Sequence, residues 1–214
     1  MAIPEIHAEN VNQHNAERNP GLPLDLGWVR SVRVNTSAAE RRAATLGTRR
    51  SVKKDTQAAW LLRAITCIDL TTLSGDDTPA TVLRLCAKAR QPVRQDMLEA
   101  LGVADLGITT GAVCVYHSRV ADAVKALAGT NIPVAAVSTG FPAGQSSFRT
   151  RLTEIHDSVE AGAREISILL SRAHVVNGYS EHLHAGRTQV PPTCGDPHTD
   201  ALPATDDLGA RRPL

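Results

Sequence analysis

The side chains able to do chemistry are few and unevenly spread. The basic residues are overwhelmingly arginine, and the only lysines are Lys53, Lys54, Lys88 and Lys125, so any mechanism needing a lysine nucleophile late in the chain is excluded for this sequence. A nucleophilic lysine must also be desolvated. Lys53 and Lys54 precede a helical pattern at an exposed-looking position, and Lys125 shares a helix whose apolar stripe is Val120, Val124 and Leu127; for these three the reading is a solvated charge. Asp69 closes an apolar strand-like run, where a carboxylate is costly unless it is paired or functional. Cys114 sits on the apolar run 112–116, where a cysteine reads first as a small buried hydrophobe and only second as a reactive thiol. The glycines of the 139–144 loop could cradle a phosphate, but a turn leaving a strand explains them at least as well. His182, His184, Cys194 and His198 have a spacing that fits no compact zinc motif, and no metal site is read from them.

Composition narrows the classes around those residues. The 214 residues are 42% hydrophobic, 21% charged and 3% aromatic, which suits one main globular domain. A net charge of +1 leaves no electrostatic footprint for nucleic acid or an acidic membrane surface. No apolar run approaches a bilayer-spanning length, and the first twenty residues lack a basic start followed by an apolar core, so the expectation is a cytoplasmic chain. The four cysteines show no CxxC pairing, which argues against a disulfide frame or a zinc ribbon.

The elements that position the candidates follow from periodicity. Residues 1–24 are polar and rich in Asn and Pro, and read as a disordered arm. Helices follow over 25–62: one capped by Asp25, an Arg-rich one capped by Thr36 or Ser37, and a third starting at Asp55. From there strands alternate with helices. Strands are predicted over 64–70, 111–116, 133–138 and 165–170. Between them lie amphipathic helices, one capped by Asp77 with Val82, Leu85 and Cys86 on one side, one with the Val120 stripe, and one burying Leu152, Ile155 and Val159. Continuous apolar strands separated by amphipathic helices mark a parallel sheet of βαβ units. A doubly wound sheet and a (β/α)8 barrel both remain open, the absence of GxGxxG and GxxxxGK[ST] motifs tilting the reading to the barrel. From His182 on there is no Ile, Phe, Trp, Tyr or Met and there are five prolines, so a disordered tail is expected over 179–214.

The run Ile68-Asp-Leu-Thr-Thr-Leu-Ser-Gly-Asp-Asp-Thr78, then Ala112-Val-Cys-Val-Tyr116, then Gly140-Phe-Pro-Ala-Gly144-Gln145, closely resembles deoxyribose-phosphate aldolase. Leu24-Asp-Leu-Gly-Trp28 and the stretch from Ser51 to Trp60 are similar to the longer branch of that family, which carries extra helices before the barrel. The resemblance runs over about residues 24–178 and implies an incomplete (β/α)8 barrel of about four βα units over 63–178. It also implies a class I aldolase that cleaves 2-deoxyribose 5-phosphate to glyceraldehyde 3-phosphate and acetaldehyde through a lysine Schiff base, with no metal or organic cofactor.

Carried onto this chain, the resemblance makes Asp69, Thr71 and Cys114 substrate-side residues. The family's catalytic aspartate belongs to a Glu-Ile-Asp pattern, and here the fourth strand reads Glu165-Ile166-Ser167; the family's lysines belong to later strands that have no counterpart in this sequence. A serine hydroxyl cannot stand in for a carboxylate as a proton shuttle. The expectation is an inactive chain, with a truncated or frameshifted reading as the origin of the tail. The rival is a non-catalytic half barrel that pairs with another copy, as a homo-oligomer, through its exposed sheet edge.

Overall fold

The structure, a computed structural model, describes residues 25–49, 52–179, 181 and 198–202. The chain divides into two units, Met1–Arg33 and Val34–Leu214. In the first, helix α1 (Leu26–Ser31) is capped by Asp25 as the sequence predicts, the carboxylate accepting the Trp28 N–H at 3.0 Å.

The second unit opens with α2 (Thr36–Arg49) and α3 (Lys54–Ile65). Asn35 rather than Thr36 or Ser37 caps α2, accepting the Ala38 N–H at 3.0 Å. Neither helix fully buries a residue, and Trp60 and Leu61 on α3 stay largely exposed. Helix α3 runs on through Ala64 and Ile65, which the sequence reading assigned to the first strand. Ile65 extends the half-buried row Ala58, Leu62, a helical period, while Ala64 faces out, so the apolar run is divided between a helix end and a strand. The strand itself, β1, is only Asp69–Thr71.

After β1 the order is α4 (Pro79–Arg90), α5 (Gln95–Ala100), β2 (Ala112–Tyr116), α6 (Val120–Ala126), β3 (Val134–Ser138), α7 (Phe148–Glu160), β4 (Glu165–Leu169), α8 (Arg172–Val176) and β5 (His198–Leu202). All neighbouring strands are parallel and stand in sequence order, β1-β2-β3-β4-β5. Thr78, not Asp77, caps α4 by accepting the Thr81 N–H. Asp77 instead accepts from the Thr72 hydroxyl at 2.9 Å and from the Ser74 N–H at 3.0 Å, which braces the turn after β1.

The expected disorder over 179–214 is corrected at one stretch. His198–Leu202 extends the sheet as a fifth parallel strand, with Glu165 opposite His198 and Leu169 opposite Leu202. A ladder on the free edge of β4 is made by backbone groups, so a segment poor in apolar side chains can still form it. Residues 180, 182–197 and 203–214 of that expected tail, and the whole expected arm over 1–24, lie outside the described residues.

Helices cover one face of the sheet. Leu70, Val113, Val115, Val134, Ala136, Ile166 and Ile168 point to that side and pack on Val82 and Cys86 of α4, Val120 and Ala123 of α6, and Ile155 of α7. The predicted helical stripes are the ones buried there, because β-branched strand residues and i, i+3, i+4 helix rows fit together only on that side. No helix among the described residues is long and apolar enough to cross a membrane.

Candidate functional site

Alternation along the strands sends every second residue to the face away from the helices. On β1 these are Asp69 and Thr71, on β2 Ala112, Cys114 and Tyr116, on β3 Ala135 and Val137, and on β4 Glu165, Ser167 and Leu169. The register sets Thr71 beside Cys114, Cys114 beside Ala135, and Ala135 beside Glu165. A second row reads Tyr116, Val137, Ser167. Cys114, Ala135 and Val137 form a small buried cluster against which Leu73, Tyr116 and Phe141 pack.

The Cys114 thiol is 6% exposed and its pKa is pushed up to about 11. Burial is the largest cause, the Asp69 charge adds to it, hydrogen bonding by Thr71 opposes it, and the Glu165 charge adds again. Asp69 and Glu165 thus reach the same sulfur from strands on either side of it, across the small side chain of Ala135. A thiol so placed is neutral at physiological pH, and it lines the face rather than attacking from it.

Asp69, Thr71 and Cys114, singled out in the sequence, come together here, with Ser167 buried on the same face two strands from Cys114. Glu165 was not singled out, although its place two residues before Ser167 on one strand puts both on one side, a signal that alternation alone carries. Lys53, Lys54, Lys88 and Lys125 are all exposed, and none stands on a strand. His182, His184 and Cys194 lie outside the described residues, and His198 begins β5. Among the described residues, one group has metal-ligand proximity, His156, Asp157 and Glu160, fully on the solvent side of α7.

The loops at the carboxyl ends of the strands are tied to one another. Thr139, directly after β3, has a φ of 71°, and its hydroxyl donates to the Leu169 carbonyl at 3.2 Å while accepting the Leu169 N–H at 2.5 Å. Gly140 follows with a φ of 76°, where a Cβ would collide with the Ser146 hydroxyl; both features require glycine. Its N–H donates to Glu154 Oε2 on α7 at 2.9 Å, and Glu154 Oε1 lies 3.2 Å from Nδ1 of His117, the residue after β2. Tyr116 and Phe141, the neighbours of His117 and Gly140, meet edge to face with ring centroids 5.8 Å apart.

Parallel strands in sequence order, helices on one face, and a polar and small-residue face gathered under carboxyl-end loops define part of a (β/α) barrel. Comparison with known proteins points to one family. Over 192 residues the chain is 55% identical to deoxyribose-phosphate aldolase of Mus musculus, covering 89% of this chain and 60% of that protein. Against deoxyribose-phosphate aldolase of Homo sapiens it is 53% identical, covering 89% of this chain and 61% of the human protein. By sequence the chain is similar to deoxyribose-phosphate aldolases over most of its own length, and it spans about three-fifths of the length of these relatives. A crystal structure from Coccidioides immitis, provisionally named a deoxyribose-phosphate aldolase, superposes with a TM-score of 0.51 at 20% identity, covering 71% of this chain and 62% of that one, and shares the fold. No family model matches the chain.

Proposed function

We propose that the chain supplies the first part of the substrate wall of a class I aldolase acting on 2-deoxy-D-ribose 5-phosphate, an enzyme that splits the sugar to glyceraldehyde 3-phosphate and acetaldehyde through a lysine Schiff base. The supporting observation is the meeting of Asp69, Thr71 and Cys114 on one face of the sheet, in a chain 55% identical to a deoxyribose-phosphate aldolase. In this reading Asp69 and Thr71 lie against the sugar, and Cys114 lines the pocket as a neutral thiol.

The same residues argue that these 214 residues alone do not turn over. No lysine stands on a strand, and Ser167 holds the position at which the family pattern carries its proton-shuttling aspartate. An imine cannot form on the face where the sugar would lie, and no carboxylate stands at Ser167 to move the proton. Purified protein incubated with 2-deoxyribose 5-phosphate is expected to release no glyceraldehyde 3-phosphate above background. Treatment with acetaldehyde and borohydride is expected to leave no stoichiometric adduct on any one lysine; a single such adduct would refute the inactivity. The substrate-wall reading has its own test, a chimera that joins residues 25–178, carrying Ser167→Asp, to the remaining part of the mouse relative. It is expected to cleave the sugar, and to lose that activity on Asp69→Ala; a folded chimera indifferent to Asp69 would sink the reading.

A second reading is favoured by one observation, that among the described residues β1 stands at the edge of the sheet and pairs with β2. In it the chain is a non-catalytic half barrel that associates with a second copy. Light scattering behind size exclusion separates the two: a defined dimer supports it and a monomer removes it.

A further inference from the structure

Glu154 is a largely enclosed carboxylate, its side chain 13% exposed, on a helix whose other acids, Asp157 and Glu160, face solvent. The reading above gives it no role. Its two oxygens serve two different loops, one the Gly140 N–H after β3 and the other the His117 ring after β2. Each of those residues is the immediate neighbour of one ring of the Tyr116–Phe141 pair, and both rings pack on the Cys114, Ala135, Val137 cluster. A carboxylate with one oxygen on each loop fixes the distance between the loops, and hence between the rings.

We propose that Glu154 is a positioning residue, a latch that holds the Tyr116–Phe141 pair closed over the inner face of the sheet and so sets access to that face. The remaining anchors act on the second loop alone. Arg151 donates to the Ser146 carbonyl at 3.0 Å and Thr139 bonds the end of β4, so they fix the loop after β3 without reaching the one after β2. Beside the ring contact itself, Glu154 is the described side chain whose polar contacts reach both loops. With the latch removed, the rings part and the cluster beneath becomes reachable by small molecules, while the helix-covered face stays shut. The inference goes beyond the aldolase reading, since it concerns entry to the face and holds whether or not the chain turns over a sugar.

The protein carries its own reporters. Cys114 lies beneath the ring pair, and Cys86, 1% exposed, lies in the core on the other side of the sheet. The probe is iodoacetamide, with the rate at each cysteine followed by peptide mass spectrometry. Glu154→Ala is expected to raise the Cys114 rate about tenfold, the worth of one lost charge-assisted contact, with the Cys86 rate unchanged. His117→Ala, at a half-exposed position and leaving the Glu154 bond to Gly140 in place, is expected to raise the Cys114 rate in the same selective way, and the double variant to add nothing to Glu154→Ala. Glu154→Gln, whose amide oxygen can accept from Gly140 and whose NH₂ can reach His117, is expected to remain close to the parent rate. Equal acceleration at Cys86 and Cys114, no acceleration in either alanine variant, or a glutamine variant as open as the alanine one would each overturn the latch. If Glu154→Ala does not fold, His117→Ala alone decides.

Discussion

Cys114 carries the sharpest residue-scale expectation. Its thiol is held near 11 in the folded chain against an ordinary 9.0, so between those values the unfolded chain gives up a proton that the folded chain keeps. The folded state then binds more protons than the unfolded, and stability falls as pH rises through that window. The loss is on the order of 2 kcal/mol by pH 11. Urea titrations at successive pH values should show it, and Cys114→Ala should flatten it. At neutral pH the exposed Cys67 should alkylate well before Cys114. Among single residues, the shared face of Asp69 and Thr71 was legible from strand alternation, whereas Cys114 read by itself as a buried small side chain and joined them only through the family resemblance. Glu154 was not legible. In a helix reading Phe148–Glu160 it looks like any solvent-facing acid, and its partners His117 and Gly140 stand 37 and 14 positions away in the sequence.

At the scale of elements, the strands β2, β3 and β4 and the helices α4, α6 and α7 follow from period alone, since a continuous apolar run between two amphipathic patterns admits few other structures. The two end strands escape that logic. β1 shares its apolar run with the last turn of α3, and β5 is held by main-chain pairing, which composition does not register. Turns were hardest to read, because a cap such as Asn35 or Thr78 is chosen by backbone geometry among several eligible neighbours. Thr139 joins β3 to β4 in a conformation that β-branched residues avoid, and its hydroxyl bonds to both groups of Leu169 offset that strain. Thr139→Ala keeps the left-handed backbone and orphans both partners. It is expected to cost about 1–3 kcal/mol in urea unfolding and to speed amide exchange at Leu169.

Across the whole second unit, packing is unequal. Ile155, fully buried between α7 and the sheet, belongs to the common core, whereas α2 buries nothing. Ile155→Ala should cost about 2–5 kcal/mol. Hydrogen exchange should accelerate across β2, β3 and β4 in that variant, while Thr36–Arg49, already close to free exchange, should be indifferent to it. Equal acceleration in α2 would show that the helix is bound into the core after all. The same inequality marks the charges. All four lysines project into solvent from helices or their approaches, and the inner face has none. Amine-coupling chemistry therefore acts as an oriented tether: the protein fixed to a sensor chip through its lysine amines leaves the face carrying Asp69, Thr71 and Cys114 chemically untouched and open to analytes in the flow.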